Sequence, residues 1–209
     1  MCSDATADFI GQSFEDFANG VTVPAVFGKG VFTRETFLLK HGLDVAGVAA
    51  SIGADTAVNV ALDALDKIRD TATSLERIFV VEVMGRKCGW IAMQVALAGG
   101  CEEVLLPEKD VSLEALCAEV REGRARGKAS WIIVVAAGRG TAGEVAAAVT
   151  AGTGLETRIA VLGHVQRGGR PTAADRIMAA RLGHAAVEAL IQGRTGGLVH
   201  LEGDGGRVA

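Results

Sequence analysis

Four short apolar runs recur along the chain, and each is followed by a stretch with helical character. Ile78–Val83 and Trp131–Ala136, which read IFVVEV and WIIVVA, hold a single charged residue between them. Val104–Leu106 and Ile159–Leu162 are shorter runs of the same kind. Strands too apolar to face water on either side are typical of a parallel sheet. The repeated strand–helix unit therefore predicts an α/β fold, with a doubly wound parallel sheet and helices on both faces.

Helix signals lie between these strands. From Ile52 onward, apolar residues recur at helical spacing and predict a helix of about four turns. Ser112 is placed to cap a second helix, Thr141 and Glu144 form a capping box for a third, and Thr172 opens a long fourth. A further helix is predicted at Trp90–Ala98. The expected helix ends are the glycines Gly99, Gly123 and Gly193.

The first part of the chain has a different composition. Six of the seven Phe lie between Phe9 and Phe37, and no helical or strand period persists there. We therefore predict an atypical segment at residues 1–50, of uncertain structure, followed by one α/β domain at residues 51–209.

Charge and composition exclude several partners. The formal net charge of -4 gives no general attraction to nucleic acid or anionic lipid. Tyr is absent, aromatic residues make up 4%, and no apolar run approaches a membrane span. The start MCSDATADF lacks a secretory signal, so we expect a cytoplasmic protein that binds neither nucleic acid nor membrane.

Two loops that follow predicted strands combine arginine with glycine. Met84–Arg86 follows the first strand, and Gly163–Gly169, which reads GHVQRGG, follows the last. Glycine lets the backbone approach a ligand, and the arginine fork matches phosphate oxygens. One such arginine is more often a solvated surface residue, and a lone histidine like His164 is more often structural. Two such loops at the same edge of one sheet favour an anion site.

Three long stretches resemble the phosphofructokinase family. They are Asp55–Gly89 (DTAVNVALDALDKIRDTATSLERIFVVEVMGRKCG), Leu97–Glu108 (LAGGCEEVLLPE) and Glu156–Gly183 (ETRIAVLGHVQRGGRPTAADRIMAARLG). The similarity covers about residues 52–195 and corresponds to the later, fructose 6-phosphate-binding half of a family protomer. Residues 51–209 are thus expected to be a phosphofructokinase-like sugar-phosphate-binding domain.

The resemblance implies a role for residues of both loops. Met84, Gly85 and Arg86 would line the fructose 6-phosphate pocket, with Arg86 also steadying the charge on the transferring phosphoryl group. His164 and Arg167 would contact the sugar phosphate.

Two further arginines are implied to act across a subunit boundary. Arg77 and Arg158 match arginines that clamp the 6-phosphate of a neighbour's substrate, so a homo-oligomer, a dimer or a tetramer, is expected.

An allosteric effector site is a further implication of the resemblance. In bacterial members, an effector site between subunits involves residues that match Arg69, Glu108, Arg126 and Lys128. Arg126 and Lys128 are equally well explained as a solvated helix end.

The nucleotide-binding half is not recognisable. The resemblance implies Mg²⁺ and ATP, or pyrophosphate, as cofactors. Residues 1–50 nevertheless show no glycine-rich phosphate loop, and Gly28–Gly30 matches the family's glycine-rich segments only weakly. Asp44 is the only carboxylate where the family's catalytic aspartate is expected, and its flanks do not match. Ala137 stands where the family has a glutamate that binds the sugar hydroxyls. No residue is assigned to nucleotide or metal.

Three interpretations follow from this pattern. The chain belongs to ATP- or pyrophosphate-dependent 6-phosphofructokinase and has weak or no turnover by itself. Alternatively, it is a catalytically silent module that binds sugar phosphate, or regulates, in assembly with a complete partner. The third interpretation is an unstable fragment without a ligand.

Overall fold

The computed structural model describes residues 51–202 and 205–208. These residues fall into two compact units: residues 57–169 form one, and residues 51–56 belong with those from 170 onward to the other. The predicted segment 1–50, with Gly28–Gly30 and Asp44, lies outside the described residues. The domain boundary at residue 50 stays a prediction.

A four-stranded parallel sheet lies at the centre of the 57–169 unit. Its strands are β1 (Ile78–Val83), β2 (Glu103–Leu105), β3 (Trp131–Ala136) and β4 (Thr157–Val161). The spatial order is β2-β3-β1-β4, so the two most apolar strands occupy the centre. Because the strands are parallel, their carboxyl ends meet at one edge of the sheet. The predicted parallel α/β sheet is confirmed.

Helices cover both faces of this sheet. The helices are α1 (Ala54–Ser74), α2 (Trp90–Gly99), α3 (Leu113–Ala125) and α4 (Ala142–Thr153). Alternate residues of β1 and β3 form one buried cluster with α3 and α4, which includes Ile78, Val80, Ile133, Val135, Leu116, Val120, Val145 and Val149. The intervening strand residues, such as Val81 and Val134, are also fully buried. Burial on both sides explains why these strands carry almost no polar residue.

The predicted caps form as expected. The Ser112 hydroxyl accepts a hydrogen bond from the Ala115 amide at 3.2 Å. At α4, Thr141 Oγ1 accepts from the Glu144 amide at 3.2 Å, and Glu144 Oε2 accepts from the Thr141 amide at 2.9 Å. This reciprocal pair satisfies amides that have no partner within the helix.

Several predicted boundaries are wrong. Helix α1 has 21 residues, about six turns rather than four, because no glycine or proline interrupts it before Ser74. Helix α3 passes Gly123 and ends at Ala125, because Gly123 packs under the Trp131 ring and does not terminate the helix. Strand β2 begins and ends one residue earlier than predicted.

Strand β4 departs most from its prediction. It begins at Thr157, because Thr157 and Arg158 pair with Ile78 and Phe79 of β1. As an edge strand it is not covered on both faces, and Ile159 is 49% exposed. The expectation that every strand is shielded on both sides is therefore wrong for β4.

The second unit contains α5 (Ala173–Ile191) and a hairpin of β5 (Val199–Glu202) and β6 (Gly205–Val208). The Thr172 hydroxyl caps α5 by accepting from the Asp175 amide at 3.3 Å, as predicted. Beyond the last residue of α5, Gly193 has a left-handed φ of 74°. A small core joins Ile52, Ala179, Leu182, Ala186 and Val199. The hairpin was not predicted from the sequence.

Candidate anion-binding site

The loop after β1 approaches the loop after β3 very closely. The Gly138 amide donates to the Gly85 carbonyl at 2.7 Å. A Cβ atom on Gly138 would lie 1.7 Å from the Arg86 carbonyl oxygen, so only glycine fits there. Gly85 has a φ of +151°, in the region that favours glycine, and a Cβ there would lie 2.7 Å from the Cys88 carbonyl. The two glycines thus set the backbone path that leaves the Arg86 side chain exposed.

The loop after β4 is a single 3₁₀ turn, Gly163–Arg167. Its entry is fixed because the Leu162 amide donates to the Glu82 carbonyl at 3.0 Å, which continues the β1–β4 pairing. A 3₁₀ helix has three residues per turn, so His164 and Arg167 lie one above the other on the same side. His164 is exposed and Arg167 is half-buried.

A buried glutamine connects these two loops. Gln166 is 1% exposed, and its Oε1 accepts from the Met84 amide at 2.8 Å. Its Nε2 donates to the Ala57 carbonyl of α1 at 3.2 Å. The structure therefore joins the loop of Arg86 to the turn of His164 and Arg167. Gln166 is a site residue that the sequence analysis did not single out.

Arg77 and Arg158 lie at the opposite edge of the sheet. Arg77 immediately precedes β1, and Arg158 is the second residue of β4. Arg77 Nε lies 3.2 Å from Glu156 Oε2, and Arg158 pairs with the other oxygen of Glu156. A strand rises about 3.3 Å per residue, so roughly 20 Å separates Arg77 from the loop of Arg86. The seven predicted substrate residues thus form two groups, one at each edge.

Two of the predicted effector residues lie near the amino ends of β2 and β3. Arg69 donates to the carbonyls of Gly99 and, at 3.1 Å, Gly100. Lys128 Nζ lies 2.7 Å from Glu102 Oε1 and 5.1 Å from the centroid of the Trp131 ring. The carboxylate beside Lys128 is therefore Glu102, which the sequence analysis did not select.

The other two predicted effector residues have different contacts. Glu108 follows β2 at the carboxyl edge, and its Oε1 accepts from the Gly89 amide at 2.7 Å, at the start of α2. Arg126 pairs with Glu122 one helical turn away at 2.5 Å. The structure therefore does not bring Glu108 to Lys128 and its partners Glu102 and Trp131. The effector assignment stays a prediction.

The described residues contain no cluster of potential metal ligands. Within residues 51–202 and 205–208, no group of three or more His, Cys, Asp or Glu side chains is arranged to hold a metal ion. Ala137, at the carboxyl end of β3, is exposed. Within this part of the chain, no side chain is therefore assigned to Mg²⁺ or to a magnesium-bound nucleotide. The same residues contain no helix that is both long and apolar enough to cross a membrane.

Fold and loops together define an α/β protein whose parallel sheet presents glycine and arginine loops at its carboxyl edge. Comparison with known proteins makes this class specific, since the sequence profile described as "Phosphofructokinase" matches residues 43–190. The chain belongs to the phosphofructokinase family.

Individual proteins similar to this chain are also phosphofructokinases. The ATP-dependent 6-phosphofructokinase of Bacillus licheniformis is 51% identical over 186 residues, and that of Bacillus subtilis is 50% identical over the same length. Each match covers 84% of this chain and 58% of the relative, so the chain spans somewhat more than half the length of these proteins. The structure of phosphofructokinase from Saccharomyces cerevisiae matches with a TM-score of 0.74 and 32% identity, over 85% of this chain and 24% of that one.

Proposed function

We propose that the chain binds fructose 6-phosphate at the carboxyl edge of its sheet and takes part in the family reaction. That reaction is phosphoryl transfer from ATP to the 1-hydroxyl of fructose 6-phosphate, which gives fructose 1,6-bisphosphate in glycolysis. The observation that carries the proposal is the hydrogen-bonded meeting of the Arg86 loop with the turn of His164 and Arg167. ATP is proposed over pyrophosphate because the curated relatives are named ATP-dependent.

The proposed roles follow from charge and position. Arg167 and His164, on one side of the 3₁₀ turn, contact the sugar phosphate, and the guanidinium fork can bind two phosphate oxygens at once. Arg86 lies on the neighbouring loop, where the Gly85 and Met84 backbone lines the pocket and the guanidinium steadies charge on the transferring group. Exposure of Arg86 and His164 leaves both accessible to a ligand from solvent.

Arg77 and Arg158 belong, in this proposal, to the site of a second copy of the chain. Both lie at the amino edge, roughly 20 Å from the loops of their own site, and cannot reach it. Glu156 holds the two guanidinium groups side by side, so that a phosphate from a neighbouring subunit would meet both. A homo-oligomer with shared sites is therefore part of the proposal.

Turnover by this chain alone is proposed to be weak or absent. Among residues 51–202 and 205–208, no group of three or more potential metal ligands comes together, and the expected base is not recognisable in residues 1–50. A second candidate is a catalytically silent sugar-phosphate module that assembles with a complete partner. Ala137 favours it, because an exposed methyl replaces a carboxylate that would hold the sugar hydroxyls.

Calorimetric titration with fructose 6-phosphate tests the binding proposal. Arg86→Ala is expected to weaken binding by roughly 10- to 100-fold, the effect of losing one charge-assisted contact. Arg181→Ala, which removes an exposed arginine of α5, is the matched control and should bind like wild type. Absence of binding by the wild-type chain, or equal affinity in Arg86→Ala, would contradict the proposal.

A coupled assay with fructose 6-phosphate, magnesium and ATP tests the low turnover. Rates of roughly 1 to 100 per second, typical of kinases, would reject the silent form.

A further inference from the structure

The turn after β4 contains one side chain that faces the protein interior. In the sequence Gly163–Arg167, His164 and Val165 are exposed, whereas Gln166 is 1% exposed. Burial of a primary amide is unfavourable unless both its donor and its acceptor are satisfied. The buried Gln166 amide therefore requires hydrogen-bond partners for both its donor and its acceptor.

Both ends of the Gln166 amide are used, and their roles are fixed. Met84 presents a backbone N–H, which can only donate, and it lies 2.8 Å from Oε1. Ala57 presents a carbonyl, which can only accept, and it lies 3.2 Å from Nε2. Glutamine combines a donor and an acceptor on one planar group of this length. A carboxylate offers no donor, and methionine offers neither an amide donor nor a strong acceptor.

The bonded atoms belong to the two halves of the candidate site. Met84 opens the loop that carries Arg86, and Gln166 lies in the turn that carries His164 and Arg167. On its other side, the Arg86 loop is held to the loop after β3 by the hydrogen bond from the Gly138 amide to the Gly85 carbonyl. Gln166 provides the corresponding connection toward β4, and its bond to α1 anchors the turn on the sheet face.

We propose that Gln166 is a positioning residue of the sugar-phosphate site, which holds the Arg86 loop and the His164–Arg167 turn together before the ligand arrives. The inference rests on the proposed function. A site that is already assembled does not have to be ordered by the ligand, and affinity falls in proportion to the fraction of molecules that are assembled. A glutamine that served only packing would affect the free energy of unfolding and leave the affinity of the folded protein unchanged.

The first experiment separates positioning from stability in the full chain. Gln166→Met keeps the side-chain length and removes both hydrogen bonds. Val149→Ala, in the core between α4 and the sheet, is the control, because it also destabilises the fold but touches neither loop. Calorimetric titration with fructose 6-phosphate is expected to give about tenfold weaker binding for Gln166→Met, the effect of an unsatisfied buried amide. Val149→Ala is expected to bind within about twofold of wild type.

A second variant tests the hydrogen bonds themselves and covers the case in which Gln166→Met does not fold. In Gln166→Glu, a protonated carboxyl can accept from Met84 and donate to Ala57, whereas the ionised form has no donor and faces the Ala57 carbonyl. Burial favours the protonated form at acid pH. The ratio of its dissociation constant to that of wild type at the same pH should be near one at about pH 5.5 and about ten at about pH 8. Taking the ratio at each pH cancels the effects of pH that the variant and the wild type share.

Each result has a distinct meaning. Weak binding by Gln166→Met, together with recovery of Gln166→Glu at acid pH, supports the inference. Wild-type affinity in Gln166→Met, or a Gln166→Glu ratio that does not change with pH, overturns it and leaves the proposed function intact. If the wild-type chain itself does not bind fructose 6-phosphate, the proposed function fails, and the inference fails with it.

Discussion

At the scale of single residues, Asp175 is a charged side chain with no exposure to solvent. Its two oxygens accept from the Gly53 and Thr56 amides, each at 2.8 Å, and from the Thr56 hydroxyl. These amides lie at the start of α1, where no carbonyl of the helix can reach them. The carboxylate satisfies them and meets the positive end of the helix dipole, which compensates for its burial.

Replacing Asp175 with alanine should lower the free energy of unfolding by about 3 kcal/mol, because two amides and a hydroxyl lose their buried partner. Asp175→Asn retains one acceptor oxygen and should lose less. Urea denaturation followed by circular dichroism measures both values. A loss below about 1 kcal/mol for Asp175→Ala would show that water or another group replaces the carboxylate.

Glu103 on β2 is expected to make the free energy of unfolding depend on pH. The pKa of its carboxyl is raised from 4.5 to about 7, chiefly by burial. A hydrogen bond with Glu119 of α3 and the negative charges of Glu119 and Glu102 raise the pKa further, whereas the positive charge of Lys109 lowers it. Between these two values the folded chain binds the proton more tightly than the unfolded chain does. The contribution of Glu103 to stability is therefore greatest at acid pH and is lost as pH rises from about 4.5 to 7.

Glu103→Gln should be more stable than wild type at about pH 8, and the difference should shrink toward about pH 4.5. Urea midpoints across this range measure it, and Glu188→Gln, an exposed residue of α5, is the control. Parallel pH curves for wild type and Glu103→Gln would contradict the assignment.

At the scale of secondary-structure elements, two helical glycines that look alike in sequence have opposite surroundings. Gly123 in α3 packs under the Trp131 ring, and a Cβ there would lie 2.1 Å from Cζ3. A Cβ on Gly183 in α5 would meet no atom within 4 Å. Alanine normally stabilises a helix interior relative to glycine, so the surroundings decide the sign of each substitution.

Gly183→Ala should raise the free energy of unfolding by about 0.5–1 kcal/mol, because alanine has less conformational freedom to lose. Gly123→Ala should lower it by about 1–3 kcal/mol, because the Trp131 ring has to move out of a packed core. Chemical denaturation of the two variants side by side provides the test. A stabilising Gly123→Ala would mean that the ring moves at little cost.

The central elements were predictable because burial alone determines them. Strands β1 and β3 begin and end where their apolar runs do, since both faces are covered. Strand β4 lies at an edge, so polar Thr157 and Arg158 can pair with β1 and extend it beyond its apolar run. The spacing of apolar residues in the sequence gives no sign of that pairing, so the start of β4 could not be predicted from it.

The candidate site was predictable only in part. The meeting of two arginine loops follows from parallel strands, whose carboxyl ends share an edge. The role of Gln166 depends on an amide that is 82 residues away, and no local pattern encodes it. The presence of Glu102 rather than Glu108 beside Lys128 likewise depends on the three-residue strand β2, since Glu102 precedes this strand and Glu108 follows it.

At the scale of the whole molecule, the separation of the two arginine groups predicts complementation between subunits. In the proposed oligomer, each site takes Arg86 from one chain and Arg158 from a neighbour. Arg86→Ala and Arg158→Ala would each damage every site of a pure oligomer. In mixed oligomers, a site formed by the intact Arg86 of one variant and the intact Arg158 of the other is complete.

Equal amounts of the two variants, unfolded and refolded together, should therefore recover wild-type affinity for fructose 6-phosphate in about one site in four, since each site draws its two arginines independently. Calorimetry on the refolded mixture measures the number of tight sites. The same variants refolded separately and then combined provide the control, with recovery only as fast as subunits exchange. If both arginines served the same chain's site, no mixture could restore it, because every chain would still lack one of them. Recovery thus depends on the placement of Arg77 and Arg158 at the amino edge, far from the loops of their own chain.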